Sequence, residues 1–160
     1  MKKYLGLVMV VTLAVLHGQQ TPDPHSGVVG RGDHTMGFSH EKTTHHFRLS
    51  KDGGAIEVEA NDSKDLESRD SIRGHLRHIS VMFAAGNFNA PMFIHDQTPP
   101  GVPVMQRLKS KITYLFENMD RGGRVKISSR NPEAVKAVHE FLVFQIKDHQ
   151  TGDPLTSHPQ

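Results

Sequence analysis

The feature that most constrains this chain is a pattern written twice. Gly53-Gly54-Ala55-Ile56-Glu57-Val58 is matched by Gly122-Gly123-Arg124-Val125-Lys126-Ile127, and each segment follows a run of alternating residues. Before the first, His45, Phe47 and Leu49 alternate with His46, Arg48 and Ser50; before the second, Ile112, Tyr114 and Phe116 alternate with Thr113, Leu115 and Glu117. Period two marks a strand with one buried face. Lys51-Asp52-Gly53-Gly54 and the stretch from Asp120 to Gly123 supply turn residues, so two hairpins are predicted.

A helical stripe follows each hairpin. Ile72, Leu76, Ile79 and Phe83 recur at helical spacing behind the capping candidates Asn61, Asp62 and Ser63, and this helix should end near Gly86. Val135, Val138, Leu142 and Ile146 do the same behind Asn131-Pro132, until Gly152 and Pro154 stop them. One ββα unit alone has nothing to cover the apolar face of its hairpin. The predicted fold is therefore α+β, with duplicated ββα units giving a four-stranded antiparallel sheet and two helices packed on one face.

The rest of the chain is arranged around that domain. Residues 1–18 read as an export signal: Lys2 and Lys3 precede the apolar run from Leu5 to Leu16, which is too short to span a bilayer. Residues 19–41 form a Gly-, Pro- and His-containing arm without apolar periodicity, expected to be flexible, whose Met36-Gly37-Phe38 can dock it on the domain. The domain covers 42–152, with halves at 42–86 and 111–152, and 153–160 is a tail. The connection at 87–110 contains Pro91, Pro99, Pro100 and Pro103, which oppose regular structure, with at most a helical turn at 104–108. Its Phe88, Met92, Phe93, Ile94 and His95 are too apolar for an idle linker and should rim a pocket or cover an edge.

Composition narrows the chemistry. There is no Cys, which excludes disulfides, iron–sulfur clusters, thiolate zinc sites and thiol catalysis. Without Lys2 and Lys3 the chain carries 17 basic and 17 acidic residues, so the calculated pI of about 9.0 is no argument for nucleic-acid binding. Export puts the protein in the periplasm or outside the cell, with no membrane anchor once the signal is gone. No nucleophile elbow, phosphate loop or dinucleotide fingerprint is present. The expectation is a binding protein rather than an enzyme.

Twelve histidines remain as the candidates. His75, His78 and Met82 are three and four residues apart along one helix flank, a spacing that suits a metal ligand set. The proline-rich connection can bring His95 and Met92 over them. His45 and His46 are adjacent on a strand and face opposite sides, so at most one joins any shared site. His139-Glu140 lacks the second histidine of a zinc-protease motif, since position 143 is Val. His149, beside Asp148 at a helix end, is explained by capping. His25, His34 and His40 belong to the arm.

The segments Met36-Gly37-Phe38, Lys42-Thr43-Thr44-His45-His46-Phe47, Ile72-Arg73-Gly74-His75-Leu76, Pro99-Pro100-Gly101-Val102-Pro103, His139-Glu140-Phe141-Leu142 and Thr151-Gly152-Asp153 together resemble a family of small exported bacterial proteins without a settled function. The resemblance implies a common fold and points to His45, His46, His75, His95 and His139. Some members carry an aspartate carbamoyltransferase label; this chain is too short for such a subunit and lacks its Ser-Thr-Arg-Thr phosphate loop. The leading expectation is an exported metal-binding protein that buffers or delivers copper, ahead of zinc, through His and Met. The alternatives are a pocket for a small molecule, such as haem or an anion, with or without His-dependent chemistry, and a protein-interaction module.

Overall fold

The computed structural model describes residues 24–157, so the segment expected to be an export signal, the start of the expected arm and the last three residues lie outside the described part. Four strands form one antiparallel sheet in the order β1-β2-β4-β3, with β1 at Thr43–Ser50, β2 at Gly53–Ala60, β3 at Ile112–Met119 and β4 at Gly122–Ser129. The register is symmetric. Thr43 pairs with Ala60 and Ile112 with Ser129, each residue of the second hairpin standing 69 positions after its counterpart. In the central pair Ile56 lies opposite Val125, its own counterpart, so an approximate twofold axis passes between these two residues.

The glycine pairs sit inside the strands rather than in the turns. A Cβ on Gly54 would lie 2.2 Å from Arg48 O and 2.4 Å from Leu142 Cδ1, and one on Gly122 would lie 2.0 Å from Val58 O. Close backbone approach, not turn conformation, is what those positions require.

Both long helices cover the inner sheet face. Leu66–Ala84 is α2 and packs on β3 and β4, across from its own hairpin. The last helix, Pro132–Asp148, returns over β1 and β2. Asp65, not the earlier polar cluster, caps α2 by accepting from Ser68 N at 3.0 Å; Asn131 caps the last helix through Ala134 N. Such a cap is worth about 1 kcal/mol. The stripe Ile72, Leu76, Ile79 and Phe83 is buried against Ile56, Val125, Ile127, Val138, Phe141 and Leu142 in one core. The outer face is charged: Glu57 lies 3.5 Å from both Arg48 and Arg124, and Arg124 also reaches Glu117.

The symmetry extends to the hairpin ends. Arg73 on α2 donates to Met119 O at 2.6 Å, and His139 donates to Ser50 O at 2.8 Å. Ser50 and Met119 are counterparts, as are the two helix positions when counted from the caps Asp65 and Asn131. Each helix therefore holds down the last carbonyl before the opposite hairpin's turn.

Two segments are more regular than their sequences suggest. The proline-rich connection contains α3 at Asn89–His95 and α4 at Val102–Arg107, which makes the last helix α5. Pro91 and Pro103 both fall in a first helical turn, where the missing N–H has no intrahelical partner to lose. The arm, expected to be flexible, is helical at Pro24–Met36, which is α1. It packs on α3, burying Val28, while Arg31 donates to Ile94 O at 2.7 Å and Phe38 enters the core. These tertiary contacts supply what the arm's own sequence lacks. Among the described residues no helix is long and apolar enough to cross a membrane.

Gly101 tests the fit between α4 and α5. Its φ is +82° and a Cβ there would stand 2.0 Å from Ala137 O. Gly101→Ala should lower unfolding stability by about 2–4 kcal/mol in urea denaturation; an unchanged midpoint would contradict this packing.

Candidate functional site

One end of the core is built differently from the other. Counting each helix from its cap, Ile79 corresponds to Gln145 and Phe83 to His149, so polar groups stand in α5 where α2 has apolar ones. His45 points inward from β1 in the row of Val58. His75 comes from α2, His95 ends α3, and His149 is the C-cap residue of α5. Together with Gln145 they border a cavity of about 60 Å³ whose walls are otherwise apolar, including Met36, Phe47, Phe83 and Phe141. Among the described residues no Asp, Glu, Lys or Arg lines it.

A hydrogen-bonded chain supports one wall. His95, its side chain 1% exposed, donates from Nδ1 to Asp148 Oδ2 at 2.5 Å, and its Nε2 lies 2.9 Å from Gln145 Oε1. With the carboxamide so placed, Gln145 turns Nε2 away from His95. That nitrogen is buried and meets no hydrogen-bond partner among the described residues, although Gln145 itself is only 4% exposed and borders the cavity. Phe144 and His149 lie edge-on to His95, with ring centres 5.0 and 5.1 Å away.

His75 forms another wall. Burial, with a smaller contribution from the positive charge of His78, pushes its pKa down to about 4, so its imidazole is neutral at physiological pH. Phe38 stands between it and His45, with its ring centre 5.7 Å from His75 and 5.9 Å from His45. His40, His45 and His149 are mutually near-parallel, their ring centres separated by 4.9, 5.9 and 5.9 Å.

The chain beyond α5 is fastened to the sheet edge. Gln150 and Gly152 adopt positive φ and turn it back toward β1. The carboxylate of Asp153, 4% exposed, accepts from Phe47 N at 2.9 Å, Arg48 Nη1 at 2.8 Å, His46 Nδ1 at 3.0 Å and Thr151 Oγ1 at 2.8 Å. Burial alone would raise its pKa, but these donors outweigh burial and hold it below the usual carboxylate value. The fastening places His149 over β1 beside His45.

Of the residues singled out by sequence, the structure gathers His45, His75 and His95 around one cavity. It does not bring the others there. His78 is exposed, and Met82 and Met92 are half-buried away from the cavity walls. His46 faces the outer side of the sheet toward Asp153, and His139 is engaged by Ser50. Sequence reading missed Met36 and His149 as walls of this cavity and His40 as a neighbour of His45 and His149, and it gave no role to Gln145, Asp148 or Asp153. The signal for Gln145 and His149 was present: aligning the helices on their caps shows a polar break in an otherwise matched apolar stripe. Among the described residues, no three His, Asp or Glu side chains are set to hold a metal ion as they stand.

Comparison with known proteins finds no matching family model, no matching curated sequence and no matching solved structure.

The buried His75 makes stability pH-dependent. Its folded pKa lies below the unfolded value of 6.5, so the unfolded chain takes up the extra proton and stability falls as pH drops from about 6.5 to 4. About 3 kcal/mol should be lost across that interval on account of His75. In His75→Gln the loss measured by urea denaturation should be smaller by that amount; an identical pH profile would refute the assignment.

Proposed function

We propose that the protein is an exported binding protein that holds one small, mostly apolar molecule bearing a hydrogen-bond-accepting oxygen, a short-chain carboxylate being the best chemical fit. The observation that carries this reading is the Gln145 carboxamide, which presents a buried Nε2 donor without a described partner at a cavity whose other walls are imidazole rings and apolar groups. Leaving a buried donor unpaired costs about 1–3 kcal/mol, and an oxygen in the cavity removes that cost. An acceptor oxygen meets no carboxylate among the described cavity walls.

Size limits the ligand. A cavity of about 60 Å³ holds a few heavy atoms, as each water-sized occupant needs roughly 10–15 Å³. A haem macrocycle does not fit it. The periplasm or the extracellular space is the proposed place of work, supported by the Lys2-Lys3 start and the apolar run of residues 5–16.

Calorimetric titration of the untagged chain with acetate, propionate and butyrate, each against its matching alcohol, tests the reading. Carboxylates should bind with one-to-one stoichiometry and more tightly than the alcohols. Gln145→Leu should weaken carboxylate binding about ten- to a hundred-fold, the range of one hydrogen bond to a charged acceptor. Equal affinity in wild type and Gln145→Leu, or no binding by either, would overturn the proposal.

A further inference from the structure

We infer that His40, His45 and His149 form a site for one soft metal ion, Cu(I) in preference to Zn(II), with the thioether of Met36 as an additional donor. The site adjoins the cavity, and the argument for it is independent of the carboxylate reading. Its first support is spacing. Three imidazoles bound to a common ion through nitrogens at about 2.0–2.1 Å have ring centres roughly 5–6 Å apart. The three rings already stand at 4.9, 5.9 and 5.9 Å, at the corners of a triangle rather than in a column.

The second support is the position of the arm. A Cβ on Gly32 would lie 2.6 Å from His40 Cε1 and 3.2 Å from Met36 Cε, so the imidazole and the thioether methyl close over the same point of α1. Met36 also borders the cavity with His45 and His149. The third support is donor chemistry. Imidazole and thioether without thiolate or carboxylate form a neutral set, which suits Cu(I) better than harder ions. There is no Cys in the chain, and no acidic residue lines the cavity among the described residues.

Binding requires the imidazoles to turn about their Cβ–Cγ bonds so that one nitrogen of each points into the triangle. Such a turn leaves the ring centres almost in place. The three histidines come from a 3-10 turn at His40–Lys42, from β1 and from the end of α5. One ion would therefore join the arm, the sheet edge and the last helix, which couples metal binding to the docking of the arm.

The test is titration of the untagged full chain with Cu(I) in competition with a colorimetric chelator, and separately with Zn(II). One equivalent of Cu(I) should be taken from the chelator. His40→Ala and His149→Ala should each weaken Cu(I) binding at least ten-fold, whereas His78→Ala and His46→Ala should leave it within two-fold. Met36→Leu, which preserves volume, should weaken Cu(I) at least five-fold and leave Zn(II) unchanged, so a result stands even if a histidine variant misfolds. Gln145→Leu should not alter Cu(I) affinity, which separates this site from the carboxylate reading. Failure to compete with the chelator, several weak ions per chain, or Cu(I) binding unaffected by Met36→Leu and His149→Ala would overturn the inference.

Discussion

The whole structure depends on covering the inner face of one antiparallel sheet. Phe47, Ile56, Val125 and Phe116 form a row across all four strands, and water must be excluded from it. At roughly 25 cal/mol per Å² of apolar surface, this burial is the main favourable contribution to folding. Neither hairpin can achieve it with its own helix, because α2 lies over β3 and β4 while α5 lies over β1 and β2. The exchange makes each half dependent on the other. The pairing of Ile56 with Val125 at the approximate twofold axis, and the matched contacts of Arg73 and His139 with the hairpin ends, follow from that mutual coverage.

Function is sought where the symmetry fails. If Gln145 and His149 were apolar like their counterparts Ile79 and Phe83, this end of the core would close like the other. Polar groups buried there need partners, and the chain supplies them from two elements: His95 from α3 faces Gln145, and Asp148 from α5 faces His95. The arm adds Met36, Phe38 and His40 over the top. An imidazole held neutral by burial, as at His75, keeps a lone pair that can accept a proton or bind an ion, but its burial also lowers stability in acid.

Much of the architecture was legible because each repeating unit follows a strict period. Alternation at residues 45–49 and 112–116 and helical spacing at residues 72–83 reflect which side of the backbone faces the core. Local rules served less well where tertiary contact decides. Gly53-Gly54 reads as a turn but is strand, where Ile127 O approaches Gly53, and Arg48 O and Leu142 approach Gly54, too closely for a side chain. The helices α3 and α4 were hidden by prolines that happen to occupy their first turns. The helix α1 has no apolar stripe and is held by Val28 and Arg31. His45, His75 and His95 stood out as chemistry-bearing residues, whereas His149 read as an ordinary cap, and it is the C-cap residue of α5. Its second role, bordering the cavity, depends on the turn to Asp153, a contact that no periodicity reveals.

The central claim is that the asymmetric end of the core contains a site built to receive something other than protein. A high-resolution crystal structure of the untagged chain, read at the cavity beside Gln145, tests it most directly. The account predicts a non-protein atom within hydrogen-bond reach of the Gln145 carboxamide nitrogen, bordered by His45, His75 and His149. A collapsed cavity, with that nitrogen bonded to a protein carbonyl, would contradict it.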